Sequence, residues 1–398
     1  MQFTVVMGVI LMGAVDAATP SSDALRVMIA NNDLALRLLP LLSTSQLRNV
    51  FYSPYSVLTA LAMVHAGADS LTLVELHLAL RYGLMGLDED KVVGAHADFT
   101  RHLLAPSNST LKVANAAVLD QKLNALPSYL NALKNGFAAE LLKADFTGDE
   151  RAALNTINSW VSQKTQQKIS KLFDEPLPSF TKLVLLNAIY FKGTWLSKFD
   201  RSKTAKAPFY TADGRSTSVD TMQGIVKAAY AYVRDLEATV LELPYTGLDY
   251  SMIILLPRNG SSVEVLKRKL NGTALASARA KLRETRIKLH LPRFKLEEKY
   301  DMKEVLRKLE VTRMFNAGEA DLSRINGEKS LFVDQVMHKA VVEVNEEGSE
   351  AAAATGVTIN TRTITGPSEL HVDRPFLFSI ESKRIWSMIF VGQVNYIE

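Results

Sequence analysis

The 398-residue chain contains no cysteine. That one absence excludes a disulfide scaffold, thiolate zinc sites, CxxC redox chemistry and a cysteine nucleophile together. A dominant charge is lacking too: 46 Lys and Arg against 42 Asp and Glu leave +4, too balanced over this length for a nucleic-acid partner. No apolar run reaches the roughly 20 residues of a membrane-spanning helix, so no membrane span is expected. No internal repeat or low-complexity linker divides the chain. What is present is ordinary globular usage, 47% apolar and 22% charged, which rules out a wholly disordered protein. A chain this long can bury about three quarters of its unfolded surface, so its stability has to come from burial.

Phe3 to Val15 is uncharged, has the length of a signal-peptide h-region and is followed by the small residues Ala17 and Ala18. The missing Lys or Arg before it departs from the usual n-region. Residues 1–17 are therefore expected to be a signal peptide, cleaved after Ala17 or Ala18, with residues 18–398 a single secreted, extracellular domain. Asn108 (NST), Asn259 (NGS) and Asn271 (NGT) are N-glycosylation sequons in Pro-, Gly- or Ser-rich surroundings, where surface loops are expected.

The first half reads mostly helical. Ser22 and Asp23 open a helical pattern that Pro40 is expected to stop, and further helices are expected near 55–67, 71–81, 88–104, 127–136 and 150–170. From about 182 the chain turns β-branched and aromatic: LVLLNAIYF, TVLEL, SMIILL, RIKLHL, LFVDQVMHKAVVEV, LHVDRPFLFSI and IWSMIFVGQV read as strands, with short helices at 262–270 and 300–309. Helices early and strands late predict an α+β domain rather than βαβ alternation.

Between the strands expected at Leu331–Asn345 and Glu369–Ile380 lie 23 residues without an aromatic side chain, including the run GSEAAAATG at Gly348–Gly356. This exceeds an ordinary hairpin loop, and such long loops are commonly functional. Taken alone, the segment also fits a plain surface connection.

The chain around this loop resembles the serpin family over nearly its whole length. The resemblance rests on NVFYSPYSV (Asn49–Val57), INSWVSQKTQQKI (Ile157–Ile169), LVLLNAIYFKGTW (Leu183–Trp195), Pro208-Phe209, LPRFKLE (Leu291–Glu297), VMHKAVVEVNEEGSEAAAAT (Val336–Thr355) and HVDRPFLFSI (His371–Ile380). Seven motifs in order are very specific, and VEVNEEGSEAAAATG looks most like secreted arthropod serpins. Ser349, Gly356 and Tyr396 depart slightly from the family pattern.

The resemblance implies the serpin fold, with helices clustered in the N-terminal half around a large central β-sheet plus further sheets, and an exposed reactive-centre loop at about 346–370. It implies a monomeric suicide substrate that traps a serine protease covalently, not an enzyme. Once the loop is cut and acylated, its first part enters the central sheet as a new strand. The hinge comprises Glu346, Glu347, Gly348, Ser349, Glu350, Ala351, Ala352, Ala353, Ala354 and Thr355. Ser349, Ala351, Ala353 and Thr355 alternate with the others, so one face is small enough to be buried. A charge on that face would carry a large desolvation penalty. Counting fifteen residues from Gly348 places the reactive bond at Arg362-Thr363, and Arg362 is also the only Lys or Arg between Gly348 and Arg374. An Arg there suits the acidic pocket of a trypsin-like protease. In the family, Ser53, Ser56, Asn187 and His338 correspond to the region where the sheet parts, and Trp195 to its top, where insertion begins.

Two rivals remain. A non-inhibitory serpin (carrier, chaperone or storage protein) would keep the fold without fast insertion, but Gly348–Thr355 holds no bulky, charged or proline residue except the outward Glu350. A hydrolase built on Ser53 or Ser56 with His338 lacks a GxSxG elbow, and His338 shares its strand face with Val336, Ala340, Val342 and Val344, which predicts a buried, hydrogen-bonded imidazole. The seven histidines show no metal-binding spacing, so neither a metal nor a cofactor is expected. Ten basic residues against the single acid Glu284 between Lys267 and Lys295 suggest a weak polyanion partner such as heparin, although an ordinary solvated face explains them better.

Overall fold

The computed structural model describes residues 19–45, 48–347 and 367–397. Helix α1 (Ser22–Leu42) begins where Ser21 Oγ accepts the Ala24 N–H at 3.1 Å, and it buries Val27, Ala30, Leu34 and Leu38 along one stripe. It runs two residues past Pro40. A proline near the last turn forfeits one intrahelical donor, and its fixed φ is compatible with the helix, so it does not end the element there. Helix α2 (Pro54–Gly67) is started by Ser53, whose Oγ accepts the Ser56 N–H at 3.2 Å, with Pro54 in the first turn. Almost its whole circumference is buried, as expected of an apolar helix held between layers.

Helices α3 (Ser70–Ala79), α4 (Val92–Leu103) and α5 (Pro127–Asn131) follow, the last continued by a π-helical turn at Ala132–Gly136. Helix α6 (Glu150–Lys164) is capped by the Asp149 carboxylate. The remaining helices are short: α7 (Val263–Lys269), α8 (Gly272–Lys281), α9 (Lys303–Arg307) and α10 (Ser323–Asn326). Among the described residues no helix is long and apolar enough to cross a membrane.

The strands form two sheets. The five-stranded one runs in the order β10 (Phe294–Asp301), β11 (Gln335–Val344), β4 (Leu183–Lys192), β2 (Thr110–Asp120) and β3 (Glu140–Ala144). The nine-stranded one runs β1 (Val50–Tyr52), β14 (Ser387–Val394), β13 (Phe376–Ser382), β8 (Tyr250–Pro257), β7 (Ala238–Pro244), β6 (Ser216–Val233), β9 (Arg283–Pro292) and β12 (Glu369–His371), with β5 (Ala205–Tyr210) also on β6. Helix α2 packs on β2, β4 and β11 of the smaller sheet and on β14 of the larger. Helix α6 covers the opposite face of the smaller sheet. Strand alternation decides which side chain meets which layer. Ala117, Leu119, Leu183, Leu185, Ile189, Val336 and Ala340 join the main core, whereas Ala114, Ala116, Val118, Val184 and Leu186 pack with Ile157, Trp160 and Val161 of α6.

The α+β expectation holds, with local differences. Strands β2 and β3 lie inside the half read as helical. KVANAAVLD is rich in Ala and carries an Asn and an Asp, poor strand formers, and only packing between two helical layers makes it a strand. The 18-residue β6, half exposed, lacks the apolar signal of its neighbours. The strand expected through 370–380 is two strands, broken around Pro375, which has no N–H for a ladder. Residues 294–301 are strand, leaving α9 shorter than the helix expected at 300–309.

Candidate functional site

Strands β11 and β4 lie side by side in the middle of the five-stranded sheet and run parallel, in register from Gln335↔Val184 to Val341↔Tyr190. Their outer neighbours, β10 on β11 and β2 on β4, are both antiparallel. The parallel seam is therefore the place where one strand, entering against the direction of both walls, would make the sheet antiparallel from β10 to β2.

A chain of buried polar groups crosses this seam on the α2 side. The Ser53 N–H donates to His338 Nε2 at 2.9 Å, which places the imidazole proton on Nδ1, where it donates to Asn187 Oδ1 at 2.9 Å. Asn187 Nδ2 donates to Asn115 Oδ1, and Asn115 Nδ2 reaches the Phe137 carbonyl at 3.5 Å. The path thus joins α2, β11, β4, β2 and the turn after α5. Burial pushes the His338 pKa down to about 3, so it stays neutral and keeps this single tautomer. With Nε2 held by a backbone amide and Ser53 Oγ capping α2, His338 is not placed to deprotonate Ser53. The hydrolase rival loses its base. Ser56 is buried, and its Oγ has no hydrogen-bond partner among the described residues.

Trp195 belongs to a second locus, three residues past the end of β4. Its ring stacks on Tyr245 at 4.5 Å, and Gly193 allows the approach: a Cβ there would lie 2.6 Å from the Tyr245 ring. Trp195 Nε1 donates to the Asn345 carbonyl and its backbone N–H to the Glu347 carbonyl, both at 2.9 Å. The Phe199 N–H donates to the Glu346 carbonyl at 2.9 Å, and Thr204 Oγ1 donates to Glu346 Oε1 at 2.6 Å. Arg293 Nε stands 3.7 Å from Glu346 Oε2, and Arg201 Nη2 stands 3.3 Å from Glu347 Oε1. The chain leaving β11 is thus stapled through residue 347 to the segment leaving β4, at one end of the seam.

The hinge from Gly348 to Thr355, the bond Arg362-Thr363 and residues 1–17 lie outside the described residues. Of the expected opening residues, the structure brings Ser53, Ser56, Asn187 and His338 together and sets Trp195 apart with Glu346 and Glu347. The sequence reading missed Asn115, Thr204, Tyr245 and Arg293. Asn115, alone in an Ala-rich apolar stretch, was the one detectable signal: a buried amide needs partners. The sequons Asn108, Asn259 and Asn271 are exposed. Asn271 also caps α8, its Oδ1 accepting the Ala274 N–H at 2.9 Å.

The basic stretch is spread over α7, α8, β9 and β10. Lys267, Lys269, Arg279, Lys281, Lys288, Arg293 and Lys295 pair with Glu264, Glu237, Glu381, Asp235, Glu369, Glu346 and Glu297 respectively. Five of these seven acids come from other elements, and Glu264 and Glu297 lie beside their partners in α7 and β10, so much of the local excess seen in sequence is ion-paired.

Residues 29–397 match the family model described as "Serpin (serine protease inhibitor)". The chain belongs to the serpin family. It is 47% identical over 369 residues to Iripin-2 of Ixodes ricinus, covering 92% of each chain, and 44% identical over 379 residues to Iripin-3 of the same organism, covering 95% of this chain and 96% of that one. Among solved structures, this serpin is similar to human thyroxine-binding globulin, with TM-score 0.86 and 26% identity over 94% of this chain and 99% of that one. It is also similar to native protease nexin-1 crystallised with heparin, with TM-score 0.83 and 27% identity over 94% and 99% of the two chains. The expected serpin fold and the arthropod resemblance are thereby established.

Proposed function

We propose that this serpin is a secreted inhibitor of trypsin-like serine proteases that acts once, as a suicide substrate cleaved at Arg362-Thr363. The observation that carries the reading is the parallel β11–β4 seam with the root of the loop stapled at its end. A segment turning back after residue 347 runs antiparallel to both walls, and antiparallel pairing is slightly the more stable per residue. In the proposed step the protease serine attacks the Arg362 carbonyl, the Thr363 amine leaves, and an ester joins Arg362 to the enzyme. The segment freed at its far end then slides into the seam.

Length supports the reading. Gly348–Arg362 spans roughly 50 Å when extended, against roughly 33 Å for the ten residues of β11, so insertion carries Arg362 past the far end of the seam. The native form is then metastable, held by a kinetic barrier to which the His338–Asn187–Asn115 chain contributes. Secretion rests on the Phe3–Val15 run and is compatible with the exposed sequons. Ion pairing of seven of the ten bases in the basic stretch makes a polyanion such as heparin at most a weak partner.

The test is incubation with trypsin followed by denaturing electrophoresis and mass spectrometry of the fragments. The expected result is an adduct that survives boiling in detergent, with a released peptide beginning at Thr363, and loss of both in Arg362→Ala. Clean cleavage without an adduct would instead favour the non-inhibitory serpin.

A further inference from the structure

Strand β12, on which the chain re-enters the described fold after residue 366, is three residues long and pairs with β9 in parallel: Glu369↔Lys288, Leu370↔Leu289 and His371↔His290. Glu369 and His371, two apart, project from the same face of the strand, and the register puts His290 directly beside His371. His290 Nε2 lies 2.7 Å and His371 Nε2 3.3 Å from Glu369 Oε1, and the two imidazole rings stack at 4.1 Å. One ligand atom from each of the three residues falls within 4.8 Å of the others.

We propose that His290, Glu369 and His371 form a binding site for a divalent transition cation of the zinc type. Two imidazoles and one carboxylate are a donor set such ions favour, with water completing the shell on the exposed side. Metal–ligand distances of about 2.0–2.1 Å put neighbouring donors roughly 3.4 Å apart in a tetrahedral shell. The His371–Glu369 spacing already meets this, while the His290–Glu369 spacing has to widen by about 0.7 Å and the stacked rings have to fan open. Lys288 Nζ, 3.1 Å from Glu369 Oε1, occupies the carboxylate in the ion-free state and has to turn away. Its side chain is about half exposed, which gives it room to do so. The spacing rules missed this site because its ligands are 79 or more positions apart on one side and joined only by strand register.

A cation here would tie β12 to β9 at the edge of the larger sheet. The experiment uses tag-free, full-length protein and ZnCl₂. Calorimetry should show one saturable site, and amide exchange at Glu369–His371 should slow by tenfold or more on saturation. His371→Ala should weaken binding at least tenfold, and His290→Ala likewise, by removal of a ligand. Lys288→Gln should strengthen binding severalfold, since it removes the competing ammonium while leaving all three ligands. Absence of saturable Zn²⁺ binding, or affinity unchanged in both histidine variants, would overturn the proposal, and so would weaker binding in Lys288→Gln. None of these readouts depends on protease inhibition.

Discussion

Replacing Asn187 by Ala takes the central member out of the polar chain that crosses the seam. His338 Nδ1–H and Asn115 Oδ1 then lose their partners while remaining buried. Each orphaned group costs about 1–3 kcal/mol, so native stability should fall by about 2–6 kcal/mol. An unfolding entropy of about 2.1 cal/mol/K per residue, taken over some 380 residues, is roughly 0.8 kcal/mol/K. The expected drop in the thermal midpoint at a fixed scan rate is therefore about 3–7 °C. Amides of β4 and β11 should exchange faster, because the seam opens more easily. Asn115→Ala removes the group that Asn187→Ala leaves stranded, so the double variant should lose about 1–2 kcal/mol less than the sum of the singles. Additivity within about 0.5 kcal/mol, or an unchanged midpoint, would mean that these residues do not act as one network.

Acid sensitivity follows from three buried imidazoles. His65, His96 and His338 have their pKa lowered to about 3, chiefly by burial, against 6.5 in the unfolded chain. The unfolded state binds more protons between those values, so stability falls as pH drops below 6.5 and keeps falling toward 3, by about 1.4 kcal/mol per pH unit for each histidine. Urea midpoints from pH 7.5 to 5 should show this, and His338→Gln should flatten the slope by one proton; an identical slope would refute its part. Trp195→Phe keeps the stack on Tyr245 and loses the bond to the Asn345 carbonyl, worth about 1 kcal/mol. It should lower the midpoint by about 1 °C and raise the ratio of cleaved product to trypsin adduct, and an unaltered ratio would separate the staple from insertion. Ser349→Arg should turn adduct formation into plain cleavage, because an inserted strand cannot bury that charge; retained adduct would count against insertion.

The smallness and alternation of Ser349 to Thr355 and the apolar strand face carrying His338 are local properties, legible in the sequence alone. Each depends on residues within one or two turns or strand repeats of itself. The tertiary structure decided what depends on register between distant strands. It paired His338 with Asn187, 151 positions away, and gave Asn115 its partner. It made the central seam parallel and paired five bases of the basic stretch with acids from other elements. It also set His290 beside His371. Hydrophobic periodicity assigns a side chain to a face, and only the packed sheet fixes which polar group stands opposite it; that is why the layers were legible in the sequence and the network across the seam was not.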